Sequence, residues 1–361
     1  MSDASNSRML DMYLEEAEAP LFLSGFFQSP PKNFHNTEKV EIDVIRDDEA
    51  VAVPIQDLTT GPRHNESTLY TNKAFTPPVL WEQGAITAFD MMARQPGQDP
   101  FQDPNFGANA TLEAFRIYRR LERKLHRTVE MMASQVLQTG ELTLLDSSGV
   151  AVYTLDFQPR TAHMHTVSTT WAADGSAGAP LTDIAALADI VRTNGKKQPK
   201  TLIFGATAMT RFLANATVRA LLDKQVLNLG ALAPTSRGEG ATSYGRITIG
   251  QYQYELWLYD GAYKHPQTGV LTKYVDADNV IMLSDGARLD LTFGGIPSFI
   301  RPDQRVLPFL PPRLSDGGRG IDLTTNAWVT PDGTRLMVSA GTRPLTIPTA
   351  IDTFARLNVT A

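Results

Sequence analysis

The stretch NATLEAFRIYRRLERKLHRTVEMMASQVLQTG, residues 109–140, contains no glycine or proline before its last residue. Its apolar side chains recur at spacings of three or four residues: Leu112, Phe115, Tyr118, Leu121, Leu125, Val129, Met132 and Val136. This spacing predicts one long helix with a single apolar stripe that lies against a sheet. Asn109 or Thr111 can cap its start, and Gly140 ends it. About 29 helical residues at ~1.5 Å each give a length of about 44 Å.

The side of this helix opposite the stripe is basic, and we expect it to face solvent. It carries Arg116, Arg119, Arg120, Arg123, Lys124 and Arg127, interleaved with Glu113, Glu122 and Glu130. A solvated helix face with local ion pairs explains this pattern. A surface that faces a polyanion explains it as well, and the residues alone leave both interpretations open.

The rest of the chain mixes strands and helices without a regular βαβ repeat, which predicts an α+β fold. Alternating apolar residues predict strands at 40–45 and 51–55, joined by a turn at 47–49. A hairpin around 147–149 is predicted after the long helix, followed by a helix that begins near Thr182 and ends at Gly195. Before all of these, residues 1–39 are predicted to form an extended arm, whose apolar residues need a surface on a neighbouring copy.

Composition and charge exclude several classes of protein. The chain has 361 residues, 42% of them hydrophobic and 20% charged, which is enough for a substantial core in two or more domains. The net charge of -6 argues against a protein whose whole surface binds nucleic acid, although one basic face remains compatible with it. No cysteine is present, so disulfides, thiolate zinc sites and thiol nucleophiles are excluded. We expect a soluble intracellular protein with no membrane partner, because the N-terminus lacks a signal-peptide pattern.

Motifs for catalysis or cofactor binding are missing from the sequence. There is no GxxxxGK[ST] loop and no HExxH, and RGEGATSYG has Ser243 where a dinucleotide loop needs a third glycine. His163 and His165 would lie on one face of a strand, which suggests a metal-dependent enzyme as the least favoured alternative, since no third ligand is evident. We therefore predict that the protein is not an enzyme and holds no cofactor or metal.

Six further segments carry a resemblance through their order along the chain. They are PLFLSGFFQSPPKNFHNTEKVEI, VPIQDLTTGPRHNESTLYTNKAFTPP, the long helix with VLQTGELTL, TTWAADGSAGAPLTDIAAL, DNVIMLSDGARLDLTFGGI and AWVTPDGTRLMVSAGTRPLTIP. In this order, over residues 21–361, the chain resembles the phage major capsid protein E family, which includes the lambda head protein. The resemblance implies the Hong Kong 97-type capsid fold.

The resemblance also implies a division of the chain. Residues 1–39 would be the N-terminal arm, and 40–85 would be the extended loop, a ribbon that lies over the next subunit. Residues 86–157 would form the peripheral domain with the spine helix at about 109–139, and 158–335 would form the axial domain. Residues 336–361 would be C-terminal strands that complete the peripheral domain.

The function implied is that of a major head protein that self-assembles, through pentamers and hexamers, into the icosahedral shell around the double-stranded DNA of a tailed bacteriophage. The protein would be assembled in the host cytoplasm and reside in the virion, with portal, scaffolding or decoration proteins as further partners. The inter-subunit contacts would come from Phe22, Phe26, Phe27, Leu69, Tyr70, Phe75 and Trp81. The six basic residues of the helix would face packaged DNA without reading its sequence.

Two points remain open within this interpretation. An encapsulin-like cellular nanocompartment has the same fold and is the alternative to a viral shell. The Hong Kong 97 phage joins its subunits through a lysine and an asparagine; Lys73 and several asparagines are present here, but no motif selects a pair. We expect no covalent crosslink.

Overall fold

The computed structural model describes residues 22–35, 40–45, 70–87, 106–146, 148–225, 235–236, 240–296, 313–314 and 323–361. The α-helices in this part of the chain are α1 (Phe106–Thr139), α2 (Pro180–Gly195), α3 (Ala206–Ala214) and α4 (Ala216–Gln225). The strands up to the middle of the chain are β1 (Val40–Ile45), β2 (Tyr70–Phe75), β3 (Leu80–Thr87), β4 (Glu141–Leu145), β5 (Ala151–Asp156), β6 (Met164–Thr166), β7 (Pro199–Phe204), β8 (Thr235–Ser236) and β9 (Ala241–Ile249). The later strands are β10 (Tyr252–Tyr259), β11 (Ala262–Lys264), β12 (Leu271–Lys273), β13 (Asn279–Ser284), β14 (Leu289–Phe293), β15 (Arg313–Leu314), β16 (Leu323–Val329), β17 (Arg335–Thr342), β18 (Pro344–Pro348) and β19 (Phe354–Asn358).

The long helix α1 has 34 residues and begins at Phe106, three residues before the predicted start. At ~1.5 Å per residue it is about 51 Å long. It ends as predicted at Gly140, which adopts a φ of 72° and donates its N–H to the carbonyl of Val136 at 2.9 Å. The predicted apolar stripe is buried from Tyr118 through Val136, while Phe115 is half-buried and the side chain of Leu112 lies outside the described set.

The N-terminal half of α1 packs on a four-stranded sheet of order β15-β16-β17-β3. The approach is closest at Gly84 of β3, where a Cβ atom would lie 2.5 Å from Cγ2 of Ile117. Beside this contact, the amine of Lys124 pairs with the carboxylate of Glu82 at 2.6 Å. This half of the helix is thus fixed by its apolar stripe and by one ion pair to the sheet.

The C-terminal half of α1 lies against a seven-stranded mixed sheet of order β6-β19-β13-β7-β10-β9-β8. Most neighbouring strands in it are antiparallel, but β10 runs parallel to β7 and β19 runs parallel to β6. The opposite face of the sheet carries a second core, in which helices α2 to α4 cover the strands. One helix therefore packs on both large sheets.

This second contact changes the predicted picture of α1. One wet side was expected along the whole helix, but residues 129–138 include no exposed residue. The sheet covers this half of the helix on one side. The chain segment at 22–27 and the loop before β13 cover its other sides. The prediction of a solvated face is wrong for this half, which includes Glu130.

The described strands bear on two further predictions. β1 pairs antiparallel with β2, from Val40 opposite Phe75 to Ile45 opposite Tyr70, a partner that the sequence did not predict. The predicted turn at 47–49 and the strand at 51–55 lie outside the described residues. β16 joins the sheet of β3 and β17, whereas β19 joins the seven-stranded sheet. The predicted boundary between 335 and 336 therefore does not follow the sheets.

Candidate inter-subunit surfaces

The aromatic residues predicted for the N-terminal arm pack within their own chain. The ring of Phe22 lies 5.1 Å from the rings of both Trp257 and Tyr259, and Phe26 meets it edge-on at 5.4 Å. Phe27 is buried in the same core, while Phe22 and Phe26 remain half-buried. The first surface that these rings cover thus belongs to their own subunit, and contacts with a neighbour stay a prediction.

The backbone that follows these rings is attached along β14. Gln28 donates its N–H to the carbonyl of Leu289 and accepts from the N–H of Leu291, both at 2.8 Å. Further on, His35 donates to the carbonyl of Phe293 at 2.8 Å. These bonds fix the course of residues 28–35 over the body of the protein.

Glu130 of α1 holds the beginning of this segment. Its Oε1 accepts the N–H of Leu23 at 2.6 Å and the hydroxyl of Tyr259 at 2.8 Å, and its Oε2 accepts the N–H of Ser24 at 2.9 Å. The side chain is fully buried, with 0% exposed. Burial raises the pKa of the Glu130 carboxyl above its ordinary value of 4.5, although the three hydrogen bonds act in the opposite direction.

The sequence contains a signal for this arrangement that the single-stripe interpretation missed. Ala133 and Leu137 follow Glu130 at three and seven positions, so they lie on the same helix face as its carboxyl. Both are fully buried, and they form a second apolar line beside the first. A charged residue at the head of such a line indicates a buried acceptor with specific donors.

Gln138 ties the end of α1 to the chain before β13, and sequence reasoning did not identify it. Its Nε2 donates to the carbonyl of Tyr274 at 2.8 Å and to Oγ of Ser134 at 2.7 Å. Its Oε1 accepts the N–H of Asp276 and the side-chain amide of Asn279, both at 2.9 Å. A buried amide with both ends satisfied fixes the orientation of two elements.

The residues predicted for the extended loop differ in their surroundings. Leu69 lies outside the described residues, and Tyr70 begins β2. Phe75 is buried, with its ring 6.1 Å from that of Phe157. Trp81 is 42% exposed, and its indole covers Gly341 on the paired strand. Trp81 is therefore the member of this group with the largest described exposure.

A close fit explains the position of the Trp81 indole. A Cβ atom at residue 341 would lie 2.2 Å from Cε3 of Trp81, so glycine is needed for the ring to lie on the strand. An aromatic side chain over a paired glycine shields a backbone that has no side chain of its own. One face of the indole is thus fixed within the chain while the side chain remains partly exposed.

The basic residues of α1 are partly neutralised by acidic residues of the same chain. Ion pairs join Arg116 to Glu113 at 3.0 Å, Arg119 to Glu122 at 3.0 Å and Lys124 to Glu82 at 2.6 Å. Arg120 and Arg127 are exposed, and the Nε of Arg123 donates to the carbonyl of Arg119 at 3.3 Å. Pairs at such partly exposed positions contribute about 0–1 kcal/mol each. The surface is therefore less positive than its six basic residues suggest.

The two histidines are not brought together on one strand face. His163 ends a 3₁₀ turn at Thr161–His163, is fully buried, and lies 2.9 Å through Nδ1 from the carbonyl of Phe354. Nδ1 must donate to that carbonyl, so Nε2 accepts from the amide of Asn194 at 3.0 Å. His165 is exposed on β6. Both nitrogens of His163 are engaged, so the strand-face metal pair is wrong.

The described residues contain no group of three or more His, Cys, Asp or Glu residues that could hold a metal ion. Among the helices described, none is long and apolar enough to cross a membrane.

Comparison with known proteins assigns the chain to a family. The sequence profile of the family described as phage major capsid protein E matches residues 13–359. The chain belongs to this family. No curated protein matches the capsid chain at a significant level.

Solved structures show that the capsid chain has the Hong Kong 97-type fold of the α+β class. A protein described as the capsid protein of a prophage (E. coli CFT073) superposes with a TM-score of 0.61 at 16% identity, over 95% of this chain and 94% of the other. A phage-related protein from Bordetella bronchiseptica RB50 has a TM-score of 0.50 at 8% identity, over 98% and 96% of the two chains. At these identities the likeness concerns the fold alone.

Proposed function

We propose that this chain is the major capsid protein of a tailed bacteriophage, and that its copies assemble into the icosahedral shell that encloses double-stranded DNA. The observation that carries the proposal is the match of the capsid family over residues 13–359. The protein would act through surfaces that bury against other copies, with no catalytic site. Such obligate contacts commonly bury about 2,000–5,000 Å².

The described elements suggest a role for each part of the subunit. We assign α1 and the four-stranded sheet to the peripheral domain, with α1 as its spine, and the seven-stranded sheet with α2 to α4 to the axial domain around the five-fold and six-fold axes. Residues 1–39 would be the arm and 40–85 the extended loop, which contains the ribbon of β1 and β2. The partly exposed rings of Phe22, Phe26 and Trp81 support contacts with neighbours at both places.

Further partners follow from the same proposal. The shell would assemble in the host cytoplasm and become the virion head, with portal, scaffolding or decoration proteins joining it. Through the exposed guanidinium groups of Arg120 and Arg127, α1 would contact DNA phosphates, which needs charge but no base recognition.

Expression of the chain, followed by sedimentation and negative-stain electron microscopy, tests the proposal. We expect closed shells of uniform size, assembled from pentamers and hexamers. Compact, folded monomers at high concentration, with scaffolding protein supplied, would contradict it. If shells purified from cells contain DNA, they support the viral interpretation. Shells filled with an enzyme cargo would favour the encapsulin-like alternative.

A further inference from the structure

Exposed apolar side chains are concentrated at the tips of two hairpins. Among the described residues, large hydrophobic side chains are exposed at Val79, Trp81, Val150, Val152, Val270, Leu271 and Val329. Four of these form what we name the hairpin patch: Val150 and Val152 on the β4–β5 hairpin, Val270 and Leu271 on the β11–β12 hairpin. Val152 is 73% exposed and Leu271 is 71% exposed, so their own subunit covers little of either side chain.

The two hairpins of the patch meet at their tips. The amide Nε2 of Gln267 donates to the carbonyl of Ser148 at 3.4 Å. The Gln267 side chain also fills the space beside Gly149, where a Cβ atom would lie 2.4 Å from the amide carbon. Each of the four apolar residues lies within four positions of this contact along its own hairpin. The contact therefore brings the two tips that carry the apolar pairs close together.

Both turns are held by local hydrogen bonds. Asp146 Oδ1 accepts the N–H groups of Ser148 at 2.8 Å and Val150 at 2.9 Å. In the other turn, His265 donates its N–H to the carbonyl of Val270 at 2.9 Å, and its Nδ1 accepts from Gln267 at 3.3 Å. A surface that is already ordered loses little conformational entropy on binding. The patch is thus prepared for contact before a partner arrives.

The backbone of the β4–β5 hairpin offers a second means of contact. β4 and β5 form a two-stranded sheet, so each strand pairs only with the other among the described sheets. β5 exposes Ala151, Val152 and Thr154, where a free-standing hairpin would carry charged side chains. An edge of this kind, with unpaired backbone groups and β-branched apolar residues, is a template for association. Exposed charged residues lie on the same two hairpins, with Lys264 opposite Leu271 and Asp156 at the end of β5.

We infer that the hairpin patch docks on a second copy of this chain. The inference rests on the proposed function, because a family of shell proteins provides identical copies as the partner that is always present. Contacts in a closed ring are heterologous, so the patch of one copy would meet a different surface of the next. The residues predicted for inter-subunit contacts from sequence do not include any member of the patch.

Charge substitutions within the patch test the inference against a matched control. Val152→Lys and Leu271→Lys place an amine where burial is expected, while Ser168→Lys adds the same charge at an exposed polar position. We expect the two patch variants to raise the protein concentration needed for shell formation at least tenfold, and the control to leave it unchanged. All three should keep the wild-type midpoint of urea unfolding, since the substituted side chains are exposed.

A second measurement uses the lack of cysteine in the chain. Val152→Cys introduces a single thiol, which accepts a polarity-sensitive fluorophore, and its emission should shift to the blue when shells form. Patch variants that assemble at the wild-type concentration, or a label whose emission does not change on assembly, would overturn the inference. Wild-type protein that forms no shells would instead overturn the proposed function, and the docking surface with it.

Discussion

Replacing Glu130 by alanine is expected to detach the first described residues from the long helix. The amide groups of Leu23 and Ser24 and the hydroxyl of Tyr259 would lose their shared acceptor. Each buried donor left without a partner costs about 1–3 kcal/mol. The variant also removes the cost of burying the carboxyl, which offsets part of this loss. We expect the free energy of unfolding to fall by about 3–5 kcal/mol, the lower part of the about 3–9 kcal/mol that three such donors lose before this offset.

Two milder variants distinguish the contribution of hydrogen bonding by Glu130 from the contribution of its side-chain volume. Glu130→Gln keeps the size and one acceptor oxygen but turns an NH2 group toward one donor, so we expect a loss of about 1–3 kcal/mol. Tyr259→Phe removes one hydrogen bond and should cost about 1 kcal/mol. The order of the three losses tests whether hydrogen bonding, and not side-chain volume, explains the effect.

Urea unfolding of the unassembled protein measures these losses, and hydrogen exchange locates them. In Glu130→Ala, the amides of Leu23 and Ser24 should exchange faster. The amides of Gln28 and His35 should keep their protection, because they donate to Leu289 and Phe293. Unchanged exchange at Leu23 and Ser24, or a loss of stability below about 1 kcal/mol, would refute the reasoning, since water would then replace the carboxyl without cost.

The direction of the pKa shift adds a test by pH. The pKa of Glu130 is raised in the folded state, above its ordinary value of 4.5, because burial disfavours the charged form. A raised carboxyl pKa contributes stability that is fully present below the ordinary value and is lost as the pH rises through the folded value. The stability of the wild type relative to Glu130→Gln should therefore decline as the pH rises above about 4.5. A difference that grows with pH would mean that the three hydrogen bonds outweigh burial.

Three further predictions concern other parts of the protein. Gly341→Ala should displace the Trp81 indole, shift tryptophan fluorescence and lower the free energy of unfolding by about 1–3 kcal/mol. Most of this loss should vanish in a Trp81→Ala background, and additive effects of the two changes would contradict the contact. Reversing two charges on α1, with Arg119→Glu and Arg123→Glu, should lower the DNA retained per shell, whereas Arg192→Glu with Arg246→Glu should not; equal retention in both would exclude DNA contact by α1. Boiling shells in detergent should give a single monomer band, and a ladder of bands would reveal a covalent crosslink.

Local patterns in the sequence predicted the helices and turns that depend on residues close together in the chain. The spacing of apolar residues predicted α1, and Gly140 marked its end because the backbone there needs a left-handed conformation. The hairpin around 147–149 was predicted for the same kind of reason and is confirmed. The end of α2 shows the precision of such signals. Gly195 is still helical, and Lys196 adopts the left-handed conformation with φ 50°.

Contacts between distant segments could not be obtained from local patterns. β1 pairs with β2, about 30 residues away, and no pattern within β1 itself indicates this partner. The need for glycine at position 195 also comes from a distant segment, because a Cβ atom there would lie 2.3 Å from the carbonyl oxygen of Asp352. His163 also depends on remote partners, since a carbonyl of β19 and an amide of α2 engage its ring.

The burial of α1 explains where its basic residues stop. All six lie between Arg116 and Arg127, and the stretch without exposed residues begins at Thr128. A charged group beyond that point would lose its hydration unless the fold supplied partners, as it does for Glu130. Packing alone therefore accounts for the position of the basic face, and its position gives no independent support to contact with DNA. That contact has to be decided by the charge-reversal experiment, in which the control changes the same number of charges away from α1.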